Sequence, residues 1–293
     1  MSRIAVLTPD PADSSYAGQW PAVLERLAGA LAAAGIEVEA TSWTDHVEDA
    51  SGLTGRPLVL PLIVWGYHRH HDRWMQACRT WAAAGVRMLN PPSVIGWNSD
   101  KSYLGRLAGK GVAIPGTIWV EGVSQADVDA AFDRFGTDTV IVKPRVSGGA
   151  WKTLRLPRGE ALKEAPRGPA MIQPYLPSIE TEGETSLLFF GGRLSHVVNK
   201  RPVAGDFRIQ TQFGGQYRAL SGPPAGALAL AERTLAAIDE DLLYARIDMA
   251  QGPAGEWLLM EAELIEPDFY LGAAPEGGAR FAAAVKEVVT RES

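Results

Sequence analysis

Three acidic residues near the end of the chain, Asp248, Glu261 and Glu263, carry the clearest chemistry. Glu261 and Glu263 stand two apart in an apolar stretch, with Leu258-Leu259-Met260 before them and Leu264-Ile265 after. Positions i and i+2 of a strand project to one face, so the two carboxylates point together, and Asp248 can join them from a neighbouring strand. Hard oxygen donors of this kind suit a magnesium ion that bridges nucleotide phosphates. An isolated Glu-x-Glu is more often a solvated strand face. Carboxylates set in an apolar run, however, need a cation or hydrogen-bond donors as partners. Glu266, Asp268 and Tyr270 follow as supporting or solvated residues.

A second group is Lys143-Pro144-Arg145, at the end of an apolar strand and followed by Ser147-Gly148-Gly149-Ala150-Trp151-Lys152-Thr153. Paired glycines let backbone donors approach phosphate oxygens, and lysine supplies a compact charge. A hairpin explains a lone Gly-Gly about as well, since neither GxxxxGK[ST] nor GxGxxG is present. A third group, Asn98-Ser99-Asp100-Lys101, opens a predicted helix, with Asn98 or Ser99 as N-cap and Lys101 in the first turn. A lysine there opposes the helix dipole, a conflict that an anionic partner relieves. The stretch Trp65-Gly66-Tyr67-His68-Arg69-His70-His71 matches no HExxH zinc pair and reads as a polar loop. It follows a strand, where open α/β sheets place ligands, so Tyr67, His68 and Arg69 are candidate substrate contacts.

Strands and helices alternate in the first third to position these groups. Ile4 to Leu7, Val38 to Ala40, Leu58 to Val64 and Val86 to Leu89 read as strands, with helices over Pro21 to Ala34 and Trp74 to Ala84. This order predicts a parallel sheet covered on both faces. Gly35 and Gly85 stand where helices end, and Asn90-Pro91-Pro92 reads as a break. Beyond it a helix is expected over Ser99 to Leu107, strands over Thr117 to Val120 and Thr139 to Val142, and a helix over Gln125 to Phe135. Ala161 to Pro169 reads as a surface loop. Strands then dominate: Met171-Ile172, Ser186 to Phe190, Leu194 to Val198, Ala245 to Ala250 and Trp257 to Glu263. Gly191-Gly192 joins two of them in a tight turn. Ala225 to Ile238 and Ala279 to Val289 complete the helices.

With 293 residues and 46% hydrophobic content the chain can bury a large core, about two domains' worth. A net charge of −6 without a basic block argues against a nucleic-acid partner. Cys78 is the single cysteine, so no disulfide or thiolate cluster forms within one chain, and a reducing cytoplasm is the expected location. No apolar run reaches the roughly 18 residues of a membrane span.

Taken together, NSDK, the VKP strand before a glycine-rich loop, MIQPYLPSIETEGE, RIDM and MEAEL resemble the ATP-grasp superfamily over nearly the whole chain. LNPPSVIGWNSDKSYL and KRPVAGDFRIQTQFGG are similar to its small stand-alone carboxylate-amine ligases, a group that includes ribosomal-protein glutamate ligases and D-cycloserine cyclo-ligases. The resemblance implies an α/β (α+β) ATP-grasp fold. An N-terminal parallel α/β domain (1–92), a central subdomain with a glycine-rich lid (93–172) and a C-terminal subdomain with a metal site (173–293) would make it up, the two α+β subdomains sandwiching ATP.

What the resemblance implies about the site is specific. Lys101 and Lys143 would reach the nucleotide phosphates, and the segment from Ser147 through Gly148 and Gly149 to Thr153 would be the lid. Gln173 and the backbone at Tyr175 and Leu176 would face adenine, and Glu180 the ribose. Asp248, Glu261 and Glu263 would bind magnesium, with two ions expected. Family members more often have Asn where Glu263 stands, so this chain carries an added negative charge there. Lys200, Arg208 and Arg246 would hold the transferred phosphate and the acyl intermediate. The expected reaction joins a carboxylate to an amine through an acyl phosphate, within one amino-acid derivative or between two molecules. Expected partners are small amino-acid or peptide-like carboxylates and amines, and a homodimer stays open. A small-molecule kinase and a non-catalytic nucleotide-binding module are the alternatives.

Overall fold

Ile4 to Leu7, wholly buried, run through the middle of a parallel sheet of order β2-β1-β3. Its strands are β1 (Ser2–Thr8), β2 (Ile36–Ser42) and β3 (Val59–Leu60). Covered on both faces, β1 has no polar side to show, which is why it reads as unbroken apolar sequence. Helix α1 (Trp20–Ala32) packs on one face through Leu27 and Leu31, and α2 (His71–Ala83) on the other through Trp74, Ala77 and Trp81. The computed structural model describes residues 2–203, 205–206, 208–209 and 213–291, so part of KRPVAGDFRIQTQFGG lies outside the described residues.

Two expected strands are shortened. Leu58 to Val64 pairs only at Val59 and Leu60, because Pro61 has no N–H to continue the ladder. Val86 to Leu89 contributes one bridge, Met88 to Val59. Past the double proline, α3 (Pro92–Asn98) and α4 (Tyr103–Gly109) replace the single helix predicted over Ser99 to Leu107. Pro92 sits in the first turn of α3, where a missing N–H costs nothing. Asn98 therefore closes a helix instead of capping the start of one, and Ser99 is that helix's C-cap. The Asn98 amide is used elsewhere: it donates to Ala262 O at 2.8 Å and accepts from Leu264 N at 3.0 Å. Lys101 lies in the turn between the two helices, not in a first turn.

The second sheet has the order β4-β7-β5-β6, from β4 (Ile118–Val120), β5 (Thr139–Pro144), β6 (Leu154–Pro157) and β7 (Ala170–Pro174). Helix α5 (Gln125–Phe135) covers it with Val128, Ala131 and Phe132. Its ends are set by local sequence: Ser124 and Asp127 form a reciprocal capping box, and Gly136 takes the left-handed conformation that ends the helix, at φ 60°.

The third sheet is antiparallel, of order β10-β9-β8-β11-β12. After the short α6 (Ser178–Thr181) come β8 (Glu184–Phe190), β9 (Arg193–Arg201), β10 (Gln216–Leu220), α7 (Ala227–Ile238), β11 (Tyr244–Gln251), β12 (Trp257–Glu263) and α8 (Ala279–Thr290). Leu187, Val197, Ile247, Met249, Leu259 and Ala262 pack one face of this sheet against α4 and α7. Alternation along each strand sends the polar residues to the opposite face, where the site lies.

Candidate active site

Register across the third sheet assembles the site. Glu184 stands opposite Lys200, Ser186 opposite Asp248, Asp248 opposite Glu261, and Arg246 opposite Glu263. Directly opposed residues of antiparallel strands share a face, so four strands bring these seven side chains to one surface. Ser186 Oγ donates to Asp248 Oδ1 at 2.6 Å, Lys200 Nζ reaches Asp248 at 3.1 Å and Glu184 at 2.6 Å, and Arg246 Nη2 reaches Asp248 at 2.9 Å. Arg246 also pairs with Glu263 and lies over the Tyr270 ring. Carboxylate oxygens of Asp248, Glu261 and Glu263 lie within 4.8 Å of one another, and all three are hard donors that fit a magnesium ion.

The charges divide the acids into two kinds. Burial by itself would raise the Asp248 carboxyl, but Arg246 and Lys200 outweigh it and hold the group well below the carboxylate range. Glu261 behaves alike: burial opposes ionisation, and Lys101 with Lys143 overcomes it. Glu263 differs, because burial, only partly offset by Arg246, and the charges of Asp248 and Glu261 push it up to about 7. Three carboxylates this close cannot all be ionised cheaply, and a divalent cation would relieve them.

Two lysines join them, Lys101 from the turn after α3 and Lys143 from β5 of the second sheet. Lys101 Nζ is 2.8 Å from Glu261 Oε1 and donates to Ser147 O at 3.1 Å. Lys143, at the end of β5, has no hydrogen bond or ion pair among the described residues, and burial lowers its ammonium pKa. Around them, Arg145 chelates Asp100, and its backbone oxygen accepts from Lys101 N at 2.9 Å, so the NSDK turn and the start of the glycine-rich loop are tied together. Gly149 has φ 58°, a left-handed conformation that glycine adopts without strain.

The expected hinge residues line the same unit. Gln173 is buried and its amide donates to Thr117 Oγ1 at 3.0 Å; Tyr175 and Leu176 are buried beside it. Glu180 accepts from Tyr175 Oη at 2.5 Å and pairs with Arg155 at 3.0 Å. On the N-terminal side, Tyr67 is buried against Trp74, and His68 contacts the glycine-rich loop: its ring lies 5.9 Å from Trp151, and a Cβ on Gly148 would come within 3.1 Å of its Nδ1. Arg69 is held by Asp13 at 2.9 Å and Tyr16 Oη at 3.0 Å. Arg208 pairs with Asp206 and stacks on Phe213, contacts within its own loop.

Sequence reasoning did not assign roles to Glu184 or Ser186, although an acid opening the strand Glu-Thr-Ser-Leu-Leu is the same signal that drew notice to Glu261. It also missed Asn90, which is wholly buried and joins the proline break to the third sheet through Tyr244 O, Leu264 O and Leu243 N.

Comparison with known proteins agrees with this architecture. Residues 4–90 match the family described as D-cycloserine synthetase DcsG, N-terminal domain. The cycloserine biosynthesis protein DcsG of Streptomyces lavendulae is 28% identical over 278 residues, spanning 86% of this chain and 89% of that protein. The crystal structure of D-cycloserine synthetase DcsG superposes with a TM-score of 0.80 at 25% identity, covering 99% of this chain and 100% of the other. D-alanine–D-alanine ligase from Bacillus anthracis, in complex with ATP, gives 0.71 at 16% identity over 100% of this chain and 98% of the ligase, a likeness of fold.

Proposed function

Because the chain belongs to the ATP-grasp ligases, we propose that the surface of Asp248, Glu261 and Glu263 with Lys101 and Lys143 is where it couples ATP cleavage to joining a carboxylate and an amine. The chain is an ATP-dependent ligase that forms C–N bonds, with small molecules as substrates. The observation that carries the assignment of the site is the convergence of three carboxylate oxygens within 4.8 Å beside Lys101, which is 2.8 Å from Glu261.

The residues fit magnesium and a nucleotide. Asp248, Glu261 and Glu263 would hold the metal, which supplies charge neutralisation at phosphate oxygens. The extra acid at 263 supports two ions. Lys143, unpaired among the described residues, is available to a phosphate, and Lys101 can exchange Glu261 for one. Ser147, Gly148 and Gly149 would cover the phosphates, Gln173, Tyr175 and Leu176 would border adenine, and Glu180 would receive the ribose. The three units 1–92, 93–172 and 173–293 would enclose the reactants between them, the second sheet continuing through Pro174.

The reaction requires a carboxylate oxygen to attack the terminal phosphorus while ADP departs, and an amine then to displace phosphate from the acyl carbon with loss of a proton. Both steps gather negative charge on oxygen. Arg246 and Lys200, pre-positioned by Asp248 and Glu184, can stabilise that charge without reorganising. Arg208 is proposed to act with them when the substrate is in place. Tyr67, His68 and Arg69 are proposed as substrate contacts, and the contact of His68 with Gly148 and Trp151 supports exclusion of water from the acyl phosphate.

Substrate is proposed to be an amino-acid derivative, closed on itself as the name of the cycloserine relative suggests, or coupled to a second amine. The test is ADP release with and without added amine, with product masses read afterwards. Lys143→Ala should abolish ADP release. Substantial turnover by that variant, or a phosphorylated product that no amine converts, overturns this reading.

A further inference from the structure

Arg246 meets the site with nearly all of its donors engaged. Nε and Nη2 reach the Asp248 carboxylate at 3.1 and 2.9 Å, and Nη2 also pairs with Glu263. Nη1 donates to Asp268 O at 3.3 Å. Of the N–H groups on a guanidinium, this leaves the second one on Nη1 without a partner among the described residues.

The corner that follows β12 completes the enclosure. Phe269 is buried, its ring edge-on to Phe190 at 5.0 Å and against Tyr244 at 5.3 Å. His196 Nε2 donates to Phe269 O at 2.9 Å, and Tyr270 N donates to Asp268 Oδ1 at 2.8 Å. With the chain pinned at both residues, Tyr270 takes a left-handed conformation, φ 45° and ψ 44°. A side chain with a Cβ is disfavoured there, and such residues persist where their surroundings dictate them, often at functional sites. The Tyr270 ring centre lies 5.5 Å from Arg246 Cζ, inside cation–π range, and 4.8 Å from the ring of Tyr217 on β10. Among the described residues the Tyr270 hydroxyl has no hydrogen-bond partner, so the ring makes the contacts.

We propose that Tyr270 is a positioning residue for Arg246. Carboxylates grip a guanidinium in its own plane, and a ring against its face resists tilting out of that plane. Tyr270 and Asp268 O therefore fix the last degree of freedom that Asp248 and Glu263 leave open. The free Nη1–H is held ready for an anionic oxygen of the reactants, and a donor fixed in advance costs no reorganisation when charge develops. Tyr217 buttresses the ring from β10. The assignment rests on the ligase reading above, and Tyr270 acts through Arg246 without touching substrate.

The test reads anion binding. The full chain, saturated with magnesium and ADP, is titrated calorimetrically with orthovanadate, a stand-in for the phosphoryl group in transfer. Tyr270→Gly removes the ring and keeps the corner, because glycine adopts the left-handed conformation without strain. It should bind orthovanadate about tenfold more weakly, the scale of one charged hydrogen bond, with unchanged affinity for magnesium-ADP. Tyr270→Phe, which keeps the ring, should stay within about twofold of wild type. In an Arg246→Lys background Tyr270→Gly should add less than about twofold, since residues acting as one unit are not additive, whereas a purely structural ring would weaken both backgrounds alike. The proposal is overturned if Tyr270→Gly binds orthovanadate as wild type does, if Tyr270→Phe loses as much as Tyr270→Gly, or if the full loss recurs beside Arg246→Lys. Wild type that binds magnesium-ADP and takes up no orthovanadate overturns it too. Should Arg246→Lys fail to fold, the Gly and Phe variants still decide. Failure of wild type to bind magnesium-ADP is a separate result that removes the ligase reading and this assignment with it.

Discussion

Lys101 Nζ lies 2.8 Å from Glu261 Oε1, an ion pair that joins the turn after α3 to the last strand of the third sheet. Both side chains are partly accessible, 14% and 31%, so the pair is not sealed from solvent. Lys101 thus neutralises one acid of the metal candidate set and stays free to exchange it for phosphate. Lys101→Ala should weaken nucleotide binding by on the order of 2 kcal/mol, about 30-fold, the value of a charged hydrogen bond. Titration calorimetry with an ATP analogue and magnesium measures this directly, and an unchanged affinity would remove Lys101 from the phosphate site.

Asp248 is the structural pivot of the site as well as a candidate ligand. It is 1% exposed, and Lys200 and Arg246, at 4% and 6%, both lean on it. Deleting one member of a buried charge network leaves the others uncompensated, at a cost of roughly 3–5 kcal/mol. Asp248→Ala should therefore melt well below wild type in the absence of any ligand. Lys200→Met should lower the melting point in the same way, because it leaves both Glu184 and Asp248 without the ammonium they share. Equal melting points for wild type and Asp248→Ala would refute the network.

His68 supplies a pH dependence with a definite sign. Burial, aided by the charges of Arg69 and Lys101 and opposed by Asp13, lowers its pKa from 6.5 to about 4. The unfolded chain binds the proton more tightly, so His68 costs nothing above pH 6.5 and reduces stability progressively as pH falls from there toward 4. His68→Phe should lessen the acid-side loss within that window and leave stability above pH 7 little changed. Urea midpoints across the range test it, and parallel curves for the two proteins would contradict it.

Much of this was legible in the order of residues. Alternation exposed Glu261 and Glu263 as a pair on one strand face, and the strand over Trp257 to Glu263 has the bounds the pattern predicts. Ser124, Asp127 and Gly136 bound α5 by contacts made within a few residues of each other. Elements whose ends are set by such local chemistry are readable because the information is local. Where the reading failed, at Asn98 and at Leu58 to Val64, the deciding contacts were distant: the Asn98 amide bonds Ala262 and Leu264, and Pro61 ends a ladder whose partner is β1.

The residue types and their spacing therefore determined the kind of chemistry, the strands that bear it and the family that the chain resembles. Only the tertiary structure decided who pairs with whom. Registers across four strands set Lys200 and Arg246 on Asp248, and a turn from another unit set Lys101 on Glu261. The physical reason is that a charge's role depends on its burial and on its nearest opposite charge, and in this chain those neighbours are 48 and 160 positions apart for Lys200–Asp248 and Lys101–Glu261.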